Sequence, residues 1–213
     1  MQEMAVLEII DAGLMPYAQA LALQTELCLK RQQEQIPNTV IITEHPPVIT
    51  LGARKTENKL RAPAEDIRSC NIELVQVGRG GGTTAHNPGQ MVLYPVIKLK
   101  TLRLDITGYI RSLESIGIDL LEGLGVSCCR RKGFPGLWVG EKKIASVGVQ
   151  IKKWVSFHGM AININNDLNI FDWIVPCGLD AVEMTSVYKE TGTLSDMAAV
   201  KNKLADLCRT YWT

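Results

Sequence analysis

Between Leu137 and Ile164 the chain carries three short apolar runs, Leu137 to Val139, Lys143 to Ile151 and Val155 to Ile164, separated by only three residues each, the first break being Gly140-Glu141-Lys142. Runs this short, this rich in Val and Ile and this closely joined fit strands connected by tight turns, so the segment is predicted to be an antiparallel meander. Helices are predicted on either side of it. Asp105 to Leu124 places Ile106, Ile110, Leu113, Gly117, Leu120 and Leu124 at helical spacing, and Ser195 is positioned to cap a last helix with the stripe Met197, Val200, Leu204, Leu207 and Tyr211. Nearer the start, Met4 to Ile10 and Thr39 to Thr43 read as strands. Between them Pro16 opens a helix with the stripe Ala20, Leu23 and Leu27, flanked by Tyr17, Leu21 and Cys28. Ile72 to Val77 and Met91 to Ile97 read as two further strands joined by a glycine-rich loop. The expected fold class is therefore α+β, a mixed or antiparallel sheet with packed helices. No repeat, low-complexity tract or linker interrupts residues 1–213, so one domain is expected over the whole length.

Charge narrows the partners. Lys and Arg number 23 against 22 Asp and Glu, interspersed, which leaves no basic footprint for nucleic acid or an anionic membrane. The first residues are acidic where a secretory signal would be basic, and no apolar run approaches the roughly 20 residues of a membrane span, so a cytoplasmic protein is expected. Six cysteines without a C-x-x-C pair read as free thiols, and neither a metal nor a cofactor is expected.

The loop Gly78-Arg79-Gly80-Gly81-Gly82-Thr83-Thr84-Ala85-His86-Asn87-Pro88-Gly89-Gln90 invites a phosphate-cradle reading. It fails twice. A Walker loop needs G-x-x-x-x-G-K-[ST], and no such lysine is present. A dinucleotide fingerprint counted from Gly78 puts Thr83 where the third glycine belongs, and a strand follows where a helix should open. Three consecutive glycines still require backbone in special conformations or closely approached by another group. Arg79, His86, Asn87 and Pro88 add polar groups and stiffness, so a binding loop is expected.

Among the thiols, Cys28 and Cys208 fall on apolar helix faces, and Cys70, Cys128 and Cys129 have no site-like setting. Cys177 differs: Pro176 fixes the backbone before it and Gly178 frees the backbone after it. A nucleophilic thiol needs a cation or base nearby. His45, His86 and His158 are candidates, each with a plain structural alternative. Lys143 is another, since period-two alternation sets it on one face with Ala145, Val147 and Val149, at the rim of an apolar surface. Its plain alternative is a snorkelling side chain.

Read together, Glu44 to Gly52 (Glu-His-Pro-Pro-Val-Ile-Thr-Leu-Gly), Arg79 to Gln90, Tyr94 to Ile97, Gly136 to Val139, Lys143 to Ala145, His158 to Ala161 and Val175 to Gly178 resemble, in order and almost end to end, the lipoyl(octanoyl) transferases of lipoate biosynthesis. The resemblance implies a fold similar to the catalytic fold of biotin and lipoate protein ligases. It implies transfer of an octanoyl group from octanoyl-acyl carrier protein, through a thioester on Cys177, to a lysine of lipoyl domains in 2-oxoacid dehydrogenase E2 subunits and the glycine cleavage H protein. Lys143 would lower the thiol's pKa and relay protons. Arg79, Gly80, Gly81, Gly82, Thr83, Thr84, Ala85, His86, Ser146, Val147, Gly148, Gly159, Met160 and Ala161 would bind substrate. Two positions depart from the family's loop, R-G-G-x-x-T-[YW]-H-G-P-G-Q. Ala85 replaces an aromatic ring, which would widen the pocket, and Asn87 replaces a glycine, which would keep a left-handed turn. The rivals are an ATP-dependent lipoate or biotin ligase, a non-catalytic binder of acyl chains or lipoyl domains, and a redox-sensing thiol protein.

Overall fold

A computed structural model describes residues 6–176 and 182–213. Strands β1 (Leu7–Leu14), β2 (Asn38–Glu44), β6 (Gln90–Val96), β7 (Cys129–Arg131), β8 (Phe134–Val139), β9 (Lys142–Lys152) and β10 (Val155–Asn163) form a seven-stranded sheet in the order β1-β2-β6-β10-β9-β8-β7. Only β1 and β2 run parallel; the other pairs are antiparallel, and β8-β9-β10 is the expected meander. A second sheet of β3 (Val48–Leu51), β4 (Glu73–Gln76) and β5 (Thr84–His86) has the order β4-β3-β5. The sheet architecture is thus mixed, as the fold class anticipated.

The large sheet is covered on both faces, which is why β6 and β10 are buried along their full length. Against one face lie α3 (Ile106–Gly123) and α5 (Met197–Trp212), whose Leu113, Ile116, Leu120, Leu204 and Cys208 meet Leu93, Leu137, Ile144 and Ile162. Against the other lies α1 (Tyr17–Gln32), with Tyr17, Ala20, Leu27 and Cys28 packed on Ile41, Val92, Tyr94 and Ala161. A third cluster, including Ile49, Ala85, Phe171 and Met184 with Ile67 of α2 (Ala64–Ser69), lies under the small sheet. The short α4 (Val187–Thr191) completes the α-helices among the described residues. Among the described residues no helix is long and apolar enough to cross a membrane.

Local differences from the sequence reading have physical causes. Asp105 caps α3, its carboxylate accepting from the Gly108 N–H at 2.6 Å. At α5 the cap is Asp196, accepting from Ala198 N–H at 2.9 Å, and not Ser195, whose carbonyl is held by Asn165. Tyr211 leaves the apolar stripe to bond Asp119, and Trp212, one position on, fills the core instead. Part of the glycine-rich loop is itself a strand, β5.

Candidate active site

A β-bulge sets the orientation of Lys143. Leu137 pairs with Ala145 but Trp138 pairs with Lys143, so Ile144 is an extra residue on β9. Ile144 and Ala145 consequently both enter the core beneath α3 and α5. Lys143 does not share their face, as strict alternation would require. It turns with Trp138 to the opposite side, where its Nζ lies 5.3 Å from the indole centroid. Room for this comes from Gly136: a Cβ there would stand 2.9 Å from Lys143 Cε and 2.2 Å from Ala145 O, at a φ of +123°. Lys143 is 2% exposed, so it is a buried lysine and not a rim residue. Its N–H donates to Glu183 O at 2.8 Å and its carbonyl accepts from Thr185 N–H at 2.9 Å. Cys177 lies outside the described residues.

The same face of the sheet is floored by small residues. Gly136, Ser146 and Ala161 lie side by side across β8, β9 and β10, and Gly148 lies beside Gly159. The glycine-rich loop roofs this trough so closely that a Cβ on Gly148 would sit 3.0 Å from Gly80 O and 3.1 Å from Arg79 Cδ. Between floor and roof is a cavity of about 40 Å³, bordered by Arg79, Gly80, Gly81, Gly82, Thr83, Thr84, His86, Ser146, Val147, Gly148, Gly159, Met160 and Ala161. Gly80, Gly81, Val147 and Gly148 also border a second cavity of about 410 Å³, whose wall includes Lys143, Phe134, Pro135, Arg54 and Glu57. The two spaces therefore share a stretch of wall at the loop.

Arg79 holds the roof in place. Its guanidinium donates to Thr50 Oγ1 at 2.6 Å, Thr50 O at 2.9 Å and Gly82 O at 2.8 Å. Ala85 does not border either cavity. Alternation along β5 points Thr84 and His86 inward and Ala85 away, into the cluster with Ile49, Ile67 and Phe171, so its small size does not widen the pocket. Asn87 is not left-handed either; that conformation belongs to Gly89, at φ +87°. The Asn87 side chain instead donates to Asp167 O at 2.8 Å and accepts from Asn166 at 3.1 Å, anchoring the loop.

Comparison with known proteins fits this geometry. The lipoyl protein ligase A/B catalytic domain family matches residues 16–208. An octanoyltransferase of Desulfovibrio desulfuricans is 40% identical over 192 residues, 90% of this chain and 81% of that protein. The chain belongs to the octanoyltransferases of this family. A mitochondrial octanoyltransferase of Arabidopsis thaliana is 37% identical over 91% of the chain and 83% of its own length. Among solved structures, a bipartite lipoate protein ligase with its E2 lipoyl domain from Thermoplasma acidophilum aligns with a TM-score of 0.71 at 16% identity, covering 97% of this chain and 84% of that one. A biotin protein ligase of Aquifex aeolicus aligns at 0.53 and 12% identity, covering 96% and 67%. These two establish the ligase-type catalytic fold. The enzyme is an acyltransferase that moves an octanoyl group in protein lipoylation, with an acyl donor and a lipoyl-domain acceptor.

Within the octanoyltransferase cavity, Tyr17, Val92 and Tyr94 are lining residues that were not among the site candidates, and His158, weighed from the sequence as a partner of the thiol, lines it as well. Tyr17 arrives from α1 and stacks on His86 at 5.9 Å between centroids. Burial raises its hydroxyl to about 12, with Arg79 opposing. All three histidines are buried, and desolvation pulls each below its usual range: His45 downward, His86 well downward, and His158 to about 3, Arg79 and Lys152 adding to the last. They are neutral at neutral pH. A neutral imidazole supplies no positive charge to a thiolate, so none of the three histidines can serve as the cation. His45 donates from Nδ1 to Met15 O at 2.7 Å, because a carbonyl only accepts, and so receives Tyr94 Oη–H on Nε2 at 2.8 Å.

Proposed function

We propose that Cys177 carries the octanoyl group as a thioester, taken from octanoyl-acyl carrier protein and passed to a lysine of lipoyl domains in 2-oxoacid dehydrogenase E2 subunits and the glycine cleavage H protein. The whole of residues 1–213 acts as one catalytic domain, in the cytoplasm. What carries the reading is the pairing of Glu183 and Thr185, six and eight residues after Cys177, with the main chain of buried Lys143. Neutral Lys143 takes the thiol proton, and the thiolate attacks the donor carbonyl carbon. The C–S bond to the carrier breaks, and its sulfur leaves with the proton returned by the Lys143 ammonium. The acceptor amine then forms the amide as the bond to the Cys177 sulfur breaks. One thioester replaces another in the first step, so ATP is not needed. Arg79 to Thr84, His86, Ser146 to Gly148 and Gly159 to Ala161 hold the acyl chain, whose burial contributes about 0.8 kcal/mol per methylene.

Mass spectrometry of the protein mixed with octanoyl carrier protein tests this. An octanoyl adduct on Cys177, cleaved by hydroxylamine and absent from Cys177→Ala, is expected without ATP. An adduct that forms equally in the variant refutes the nucleophile, and a strict ATP requirement favours a ligase. For Lys143, the pH dependence of thiol alkylation should move upward in Lys143→Ala; an unmoved profile refutes its role.

A further inference from the structure

A chain of side-chain amides ends on His86 and fixes which of its nitrogens bears the proton. It begins at Thr185 O, a carbonyl that only accepts, so Asn163 must turn its Nδ2 toward it, at 2.9 Å. Asn163 Oδ1 then faces Gln90 and accepts from Gln90 Nε2 at 2.8 Å. That contact leaves Gln90 Oε1 against His86 Nδ1, 2.7 Å away, where only an N–H can satisfy it. His86 is 5% exposed and borders the cavity, so the nitrogen left for a ligand there is Nε2, with its lone pair. Among the described residues the surrounding elements present Tyr17, His45, Arg79 and His158, with no carboxylate acting on the ring to draw a second proton onto it.

We infer that His86 Nε2 is a built-in neutral acceptor for the N–H of the incoming lysine amine, and that Gln90, backed by Asn163, is the positioning residue that keeps it so. The inference rests on the octanoyl-transfer reading above. As the new C–N bond forms and the C–S bond breaks, the amine's surplus proton leaves to Nε2 and the Cys177 sulfur departs as a thiolate. The imidazolium, poorly tolerated in its buried setting, then passes its proton to Lys143, left neutral by the loading step, which hands it to the thiolate, and the site is restored. Because Thr185 also bonds Lys143, one hydrogen-bonded run joins the backbone of Lys143 to the ring of His86.

The test separates the half-reactions. Long-range proton–nitrogen NMR of histidine-labelled wild-type enzyme should show His86 protonated on Nδ1 alone at neutral pH; a proton on Nε2, or an imidazolium, overturns the inference without any variant. In Gln90→Leu the ring loses its constraint and the Nε2–H tautomer should appear. Transfer from octanoyl-loaded enzyme to a lipoyl domain should then slow about tenfold, the worth of one hydrogen bond, with loading from octanoyl carrier protein changed less than about twofold. A tautomer change that leaves transfer untouched, or equal slowing of both half-reactions, also overturns it. Failure of the wild type to load at all would instead strike the Cys177 thioester.

Discussion

Replacing Ala85 by tyrosine, the ring the family usually carries there, should cost stability and leave acyl-chain preference alone. Ala85 is fully buried and stands directly opposite Ile49, itself fully buried, in the β3–β5 pair. Cross-strand Cβ atoms in such a pair lie only about 5 Å apart. Ile67, Ile170, Phe171, Ile174 and Met184 close the remaining sides. A ring introduced there has no cavity to enter, and overpacking of this kind typically costs about 1–3 kcal/mol. For a chain of this size each kcal/mol lowers Tm by about 2–4 °C, so a fall of roughly 2–12 °C is expected. The assay pairs thermal unfolding with competition between acyl carrier proteins bearing six-, eight- and ten-carbon chains. A changed preference at unchanged Tm would show that position 85 faces the acyl chain after all, and would refute the assignment of faces along β5.

Acid should weaken the fold through His158. Its buried ring binds a proton only near pH 3 against an ordinary 6.5, so the unfolded chain takes up more protons between those values. This stabilisation is complete above about 6.5 and is lost as pH falls, by up to about 1.4 kcal/mol per unit from this residue. Thermal unfolding from pH 8 to 4 should show the loss, and His158→Gln should flatten it; an equal slope in the variant refutes the account. Gly148→Val should abolish octanoyl loading while the fold survives, since its side chain meets Gly80 O and Arg79 where floor and roof already touch. Loading within about twofold of wild type would refute the close approach.

Much of the scaffold was legible because its signals are local. The amphipathic period of residues 105–124 and the two tight breaks of the meander each sit within one stretch of chain, and α3, β8, β9 and β10 follow them. The site was legible as a set of residues but not as a geometry. Strict alternation put Lys143 with Ala145, and only the register with β8 shows the extra residue that separates them. The orientation of Ala85 depends on a three-residue strand hidden in a glycine-rich loop. Tyr17 and Tyr94 carried no site signal, since α1 and β6 bring them to one cavity through tertiary packing. Asn87 was assigned backbone chemistry, yet its amide bonds residues about 80 positions away, which no local pattern encodes.

The roof bears on what Arg79 is for. A guanidinium in an acyl-carrier enzyme invites the role of phosphate binder, yet its nitrogens reach Thr50 and the carbonyls of Gly80 and Gly82 from a position only 8% exposed. A planar fork can satisfy several fixed acceptors at once, whereas an ammonium at the end of a flexible stem cannot. Arg79→Lys keeps the charge and discards the fork. If Arg79 organises the roof, the variant should lose about 2–4 kcal/mol, from one or two charge-assisted hydrogen bonds left unmade, and octanoyl loading should fall with it. If the charge instead bound the donor's phosphate, lysine would retain stability and much of the affinity, and the loss would be recovered at high donor concentration. Chemical denaturation read beside loading against carrier-protein concentration separates the two, and a stable variant with only a raised KM would refute the structural role.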